Sequence, residues 1–326
     1  MEQLFAIALR ESALFFEGAE KKLEIIVDKS LQPLTNRPDS FWKEIVAKCE
    51  ATILSQIENS KMKAFLLSES SLFVWDDRIL MLTCGQTKLI QSAKFFVNEL
   101  GADHVDCLFF QRKNEYRAQL QPSDFLEDAK NLMKDFDGEV VRFGKLHSHH
   151  TQLFYTTKEY SPIDSDCTCE LLMYDMAPEV IGFLTREDLT IAQIRDFFQL
   201  GKIFPDFELD DFVFKPYGYS LNGIRGEDYL TIHVTPQEKS PYVSFETNIK
   251  LCSETRVFLN HFLEILKPFS FDVMTFNCTT ELDFGNTYMK TIHVKDSLKI
   301  GYEVDFRYFN KRSEAPEKMY RYKELD

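Results

Sequence analysis

Glycine is scarce in this 326-residue chain, with 12 residues, and proline is equally rare at 11. No low-complexity linker divides the sequence, and no glycine-rich phosphate loop is present. Basic residues are also in deficit: 38 Lys and Arg face 52 Asp and Glu, a formal net charge of −14. A protein that neutralises a phosphate backbone needs the opposite balance, which argues against a nucleic-acid partner. No apolar run reaches the ~18 residues of a membrane-spanning helix, so no membrane partner is expected. The opening stretch MEQLFAIALRESALFF has a short apolar patch but neither a basic leader nor a small-residue cleavage site, and does not read as a signal peptide. The seven cysteines, Cys49, Cys84, Cys107, Cys167, Cys169, Cys252 and Cys278, are odd in number and irregular in spacing. Reduced thiols in a cytoplasmic protein explain them better than a disulfide framework. The histidines His147, His149 and His150 precede Cys167 and Cys169, but the spacing fits no common zinc motif, and a surface loop is the simpler expectation.

Hydrophobic residues make up 44% of the chain and phenylalanine is abundant at 30, which suits a β-rich protein with aromatic-filled interfaces. Residues 40–52 read as a helix capped by Ser40. Residues 64–68 and 71–75 are apolar strand-like runs broken by the polar step Ser68-Glu69-Ser70, and 78–84 is a further strand. Residues 87–100 form an amphipathic helix stopped by Gly101. Helices are also expected over 124–136 and over 190–200, the latter ending at Gly201. Tyr229–Thr235 and Tyr242–Asn248 alternate as strands around a turn at Pro236–Pro241. A helix over 253–266, strands over 270–277, 287–294 and 298–309, and a loosely held tail from Asn310 complete the pattern. Both halves run strand, strand, helix, strand, which suggests a duplicated α+β unit.

The Glu-Ser-Ser step at 69–71 is odd between two apolar strands; on composition alone it is a polar turn. The segments FFEGAEKKLEI (15–25), LSESS (67–71), LTCG (82–85), YGYSLNGI (217–224), TIHVTP (231–236) and YVSFETN (242–248) together change that reading. In content and order they resemble the eukaryotic-type S-adenosylmethionine decarboxylases, across most of the chain. Residues 101–160 and those after 310 match weakly.

The resemblance implies a four-layer α/β/β/α sandwich of two antiparallel sheets, internally duplicated, as a single domain over 1–326. It implies self-cleavage between Glu69 and Ser70 into a β chain, 1–69, and an α chain, 70–326. The Ser70 hydroxyl attacks the preceding carbonyl, β-elimination releases the first fragment, and hydrolysis leaves pyruvate as a covalent pyruvoyl group. That group forms a Schiff base with the substrate amine and accepts the electrons left by departing carbon dioxide. The product is the aminopropyl donor for spermidine and spermine synthesis.

By the same resemblance His233 and Ser220 serve processing, His233 as the base and Ser220 by holding the oxygen of the intermediate. Cys84 protonates the product carbon. Phe16 and Phe214 sandwich the adenine, Glu20 positions substrate, Glu17 orders the site, and Glu69 also contacts substrate. On their own these residues have blander readings: a core histidine, a turn serine, a buried thiol, core aromatics, and a solvated acidic turn at a helix start. Many relatives carry Glu where this chain has Gln237; loss of that charge predicts weaker ribose binding. Asp166, Glu170 and Glu246, with Glu24 nearby, match an acidic cluster that binds putrescine in animal-type members. The Lys that links that cluster to the active site there is Leu82 here. Lys22 stands where plant-type members carry a basic residue, and is expected to replace the diamine. A homodimer stays open. So do two other functions: an inactive paralogue that activates a partner decarboxylase, and a pyruvoyl decarboxylase of a free basic amino acid.

Overall fold

A computed structural model describes residues 15–163, 165–237, 239–250, 256–278, 282 and 284–312. Two antiparallel eight-stranded sheets form its centre. The first contains β1 (Lys21–Val27), β2 (Ile53–Glu58), β3 (Met62–Leu67), β4 (Ser70–Trp75), β5 (Arg78–Thr83), β6 (Val105–Lys113), β7 (Gly138–Gly144) and β8 (His150–Thr156). The second contains β9 (Thr168–Tyr174), β10 (Glu208–Val213), β11 (Tyr219–Arg225), β12 (Asp228–Thr235), β13 (Tyr242–Thr247), β14 (Ser270–Phe276), β15 (Tyr288–Ser297) and β16 (Glu303–Lys311). The spatial orders are β2-β3-β4-β5-β1-β6-β8-β7 and β10-β11-β12-β13-β9-β14-β16-β15. Adding eight to every strand number of the first order gives the second, so the α+β unit is duplicated.

Strand alternation creates the layers. In β1, Leu23, Ile25 and Val27 face a helical layer, while Ile26 packs between the sheets. The first layer is built by α1 (Asp39–Lys48), α2 (Leu89–Leu100) and α3 (Phe125–Leu132). The opposite layer is built by α4 (Pro178–Leu184), α5 (Ile191–Phe197), α6 (Leu200–Ile203) and α7 (Arg256–Leu266). Between the sheets lie aromatic clusters such as Phe109 with Phe276 and Tyr302, and Phe73 with Tyr229. The result is the expected α/β/β/α sandwich.

Several local expectations need correction. Helix α1 begins one residue before Ser40, behind Pro38, and Ser40 does not cap it; it ends at Lys48 rather than 52. The helix expected over 190–200 closes at Phe197, because Gln199 takes a left-handed conformation. Gly201 then lies inside α6 instead of stopping a helix. Thr190 and Gln193 start α5 with a reciprocal capping box. The last strand begins at Glu303, not 298, after a turn with Gly301 at φ +85°. Asn310 and Lys311 belong to that strand rather than to a loose tail. His149 and His150 are not a surface loop: His150 is buried at the start of β8 and His149 stacks on Tyr174 at 3.8 Å. Cys252, the first turn of the helix expected from 253, the N-terminal patch to residue 14 and the tail from 313 lie outside the described residues.

One close approach fixes the outer edge of the first sheet. A Cβ added to Gly138 would lie 2.4 Å from the fully buried Phe154 ring and 2.8 Å from the Tyr155 carbonyl oxygen. Gly138→Ala should therefore cost about 1–3 kcal/mol by overpacking, read from chemical denaturation. Gly182→Ala, in a helix with nothing within 4 Å, should match or exceed the wild type.

Candidate active site

β3 and β4 form a hairpin with Leu67 opposite Ser70 and Ser68–Glu69 as its loop. Ser70 has φ +137°, a conformation that side-chain-bearing residues rarely adopt. Its effect is geometric. Successive residues of a regular strand face opposite sides, yet Ser70 and Ser71 both turn their hydroxyls to His233 on β12. Ser70 Oγ lies 3.0 Å and Ser71 Oγ 2.9 Å from Nε2.

The neighbours of His233 decide which hydroxyl it can accept from. Nδ1 lies 2.8 Å from Glu20 Oε1, and a carboxylate there holds the proton on Nδ1. Glu20 is fixed in turn by Ser244 Oγ at 2.6 Å. Nε2 then carries the free lone pair. Ser71 donates its proton to Asn222 Oδ1 at 2.6 Å, and Thr231 donates to the Leu221 carbonyl at 3.0 Å. Both are committed, so the Ser70 hydroxyl is the donor left for Nε2. Ser70 Oγ is also 3.2 Å from Nδ1, but the Nδ1 proton belongs to Glu20, which makes the Nε2 contact the hydrogen bond.

The carbonyl oxygen of Glu69 accepts the Cys84 backbone N–H at 3.0 Å and the Cys84 thiol at 3.3 Å. Two donors on one carbonyl oxygen are what a developing oxyanion needs. Burial, reinforced by Glu69 and Glu20, pushes the Cys84 thiol well above its usual range, so it keeps its proton. Lys21 is buried and donates to the carbonyls of Gly85 and Thr87, each at 3.0 Å, which pins the turn after Cys84. Burial, with Arg112 nearby, lowers its pKa to about 8. Ser220 on β11 lies opposite His233 in register.

Phe16, Glu69, Ser70, Cys84, Phe214, Ser220, His233 and Gln237 line one cavity of about 340 Å³. The two phenylalanines come from different halves of the sequence to flank it. Glu17 and Glu20 are buried rather than solvated. Glu17 accepts the Ala19 N–H at 3.3 Å and the Arg117 N–H at 2.9 Å, and burial raises its pKa. Gln237 points its amide at the main chain of Phe16.

The acidic positions gather in a second cluster between the sheets. Lys22 lies 3.0 Å from Glu170 and 2.9 Å from Glu246. Lys113 lies 3.3 Å from Glu170 and 3.6 Å from Asp272, and Arg78 pairs with Glu24 at 3.0 Å and with Asp166. Tyr229 donates to Glu246 at 2.5 Å. Burial drives Glu246 up to about 7, partly offset by Lys22, whereas Lys22 and Lys113 overcome burial and hold Glu170 low. The sequence reading missed Lys113, Arg78, Asp272 and the Cys84 N–H. The usable signal was a cation inside otherwise apolar strands, as in VDCLFFQRK and RILMLT.

Glu69 gives the site a pH signature. Its Oε2 is buried without a hydrogen-bond partner, and burial, weakly opposed by Lys21, raises its pKa to about 7. A raised carboxyl favours the fold while protonated and loses that advantage as pH rises through the folded value. In a Ser70→Ala background, stability should fall between about pH 4.5 and 7 by ~1 kcal/mol once partial exposure is allowed for. Adding Glu69→Gln should reduce the slope by that amount in urea titrations across the range, leaving the share that Glu246 contributes.

These features can be set beside known proteins. The adenosylmethionine decarboxylase family model matches residues 13–322. The S-adenosylmethionine decarboxylase proenzyme of Drosophila melanogaster is 33% identical over 316 residues, covering 89% of this chain and 90% of that protein. The Trypanosoma cruzi proenzyme is 31% identical over 315 residues, 90% of this chain and 85% of its own length. The Dictyostelium discoideum proenzyme is 32% identical over 275 residues, with 78% and 72% covered. A crystal structure of a Trypanosoma brucei AdoMetDC-delta26 monomer superposes with a TM-score of 0.58 at 22% identity, over 74% of this chain and 99% of that one, which supports the fold. With the match running nearly end to end, the chain belongs to the adenosylmethionine decarboxylase family.

Proposed function

We propose that the protein decarboxylates S-adenosylmethionine by means of a pyruvoyl group made from its own Ser70. The observation that carries this reading is a hydroxyl and a carbonyl prepared on the same bond. Ser70 Oγ has Nε2 of His233 as its proton acceptor, and the Glu69 carbonyl is held by the Cys84 N–H.

His233 takes the Ser70 proton as Oγ attacks the Glu69 carbonyl carbon, and the Ser70 nitrogen leaves as an amine that regains that proton. Cys84 donates to the oxygen on which charge develops, and Ser220 lines the same cavity. The ester that results joins Glu69 to the Ser70 side chain. His233, neutral again and oriented by Glu20, then removes the Ser70 α-proton. The Glu69 carboxylate departs, ending the chain 1–69, and dehydroalanine remains at position 70. Water replaces its nitrogen, ammonia leaves, and the chain 70–326 begins with a pyruvoyl group. Release of the φ +137° conformation at Ser70 favours the forward direction.

The surrounding residues fit that group, since position 70 opens on the cavity beside a protonated thiol. When present, the pyruvoyl group supplies an electron sink for the carboxylate carbon. The chain's own part is to bind and aim. Phe16 and Phe214 offer two aromatic faces for adenine, and the same faces suit the adjacent sulfonium. That choice favours an adenine-bearing substrate over a free basic amino acid. Cys84, which keeps its proton, would deliver it to the substrate carbon.

Activation by putrescine should be weak. Lys22 faces Leu82 directly across β1 and β5. Its ammonium fills the space between Glu170 and Glu246 that a diamine nitrogen would otherwise neutralise.

Intact-mass measurement should find residues 1–69 and a chain 70–326 that has lost ammonia and gained a keto oxygen. Ser70→Ala should stay whole for want of the hydroxyl, and His233→Ala, which lacks the base for both the attack and the elimination, should stay largely whole as well. Carbon dioxide should be released from S-adenosylmethionine but not from ornithine or arginine; an unsplit wild type that is silent with all three would overturn the reading. Millimolar putrescine should leave wild-type turnover unchanged. Lys22→Met should lose ~3–5 kcal/mol of stability and become putrescine-dependent; strong stimulation of the wild type would count against the built-in cation.

A further inference from the structure

Gln237 carries a role apart from direct contact with substrate. It follows β12, the strand of His233, by two residues, and is 5% exposed. Its Oε1 accepts the Phe16 backbone N–H at 3.1 Å, and its Nε2 donates to the Phe16 carbonyl at 2.8 Å. The second Nε2 proton points to the Ser240 carbonyl at 3.4 Å. One primary amide thus satisfies both main-chain groups of Phe16, as a neighbouring strand would. Both of its donors are spent there.

Phe16 needs such a hold. The residue is 39% exposed, so burial alone fixes it weakly. It lies between the cavity of Ser70 and a second one of about 300 Å³ lined by Glu17, Arg117 and Gln121. The ring rests on Gly85: a Cβ built there would meet Phe16 Cε2 at 3.0 Å. The next residue, Glu17, accepts the Gly85 N–H through its carbonyl at 2.7 Å. Gly18 is pressed against Thr235 and Tyr242, with Cβ–Cβ separations of 3.2 and 3.0 Å for an added methyl. The Phe16 segment is therefore strung between the turn after Cys84 and the end of β12.

We propose that Gln237 is a positioning residue whose amide clasps the Phe16 main chain and so sets the aromatic wall of the substrate cavity. This rests on the functional reading above and sharpens it. It also reverses the forecast drawn from charge alone. If position 237 served the ribose directly, Gln237→Glu would tighten binding. As a clasp, the same change keeps the acceptor for the Phe16 N–H but loses the donor, and sets a carboxylate oxygen against the Phe16 carbonyl.

The test uses the full chain after splitting. Gln237→Glu and Gln237→Met should each raise KM for S-adenosylmethionine by about five- to tenfold, the scale of losing a buried hydrogen bond, with kcat changed far less. Hydrogen exchange, read without substrate, should separate the two variants. The Phe16 amide should exchange faster in Gln237→Met, and stay near wild type in Gln237→Glu, where the acceptor remains. A KM unchanged or lowered in Gln237→Glu, or a Phe16 amide indifferent to Gln237→Met, would sink the proposal. A wild type that neither splits nor turns over S-adenosylmethionine would instead remove the functional reading, and the exchange comparison would still decide the clasp.

Discussion

Two successive residues of a regular strand cannot present their side chains to the same side, and Ser70 and Ser71 do. Everything chemical in the molecule depends on that break. Ser71 faces the space between the sheets by ordinary alternation and is anchored there by Asn222. Ser70 joins it only by taking φ +137°, which a free chain would relax within its first motion. The conformation persists because both of its sides are held. The loop carbonyl at Glu69 is bonded to Cys84 from the first sheet, and the hydroxyl is met by His233 from the second. Neither sheet alone supplies both restraints, so the duplicated architecture is a requirement of the site and not merely its scaffold.

The same interface holds an unusual amount of charge. Burying five carboxylates, Glu24, Asp166, Glu170, Glu246 and Asp272, would be prohibitive without partners. Three cations, Lys22, Arg78 and Lys113, and phenols from Tyr229, Tyr160 and Tyr174 share them. Carboxylates outnumber these cations, and burial, with Glu170 nearby, pushes Glu246 and Asp272 upward. Lys22 on β1 sits directly across from Leu82 on β5. A positive charge carried at 22 rather than at 82 stands one strand over, where it meets Glu170 and Glu246.

Local signals made part of this legible. The Glu-Ser-Ser step, the alternation of YLTIHVTP and the amphipathic face of α2 could be read one segment at a time. Strand β1 could not. KKLEIIV carries Lys22 and Glu24 on its inner face, a pattern that ordinarily marks a solvated edge, and only the opposing sheet explains their burial. Strand β9, TCELLMY, is buried throughout, so alternation gives no face to read, and Glu170 within it looks like an isolated misfit. The breaks misjudged in the helices have a similar origin. Gln199 turns left-handed where glycine would be expected to do so, and Gly201 continues the chain into another turn of helix. Gln237 shows the limit most clearly: its residue type suggests a weaker ligand, whereas its partners are a backbone 221 residues away.

That long reach bears on what happens when the chain is cut. A break after Glu69 would sever the loop of the β3–β4 hairpin and no ladder bond, because Leu67 and Ser70 remain paired by their strands. The first fragment would still supply β1, which lies between β5 and β6 and bonds to both. To leave, it would have to open the middle of a sheet and expose the Lys22 cluster to an unpaired state, a far larger cost than the loss of one covalent connection. Glu20 and Phe16, also on that fragment, meet His233 and Gln237 on the other. Cleavage at this position would therefore free the new terminus to face the cavity and leave the residues that orient it where they were. A cut inside β1 or β4 would instead break ladders on both sides, so the hairpin loop beside His233 is where processing and structural integrity are compatible.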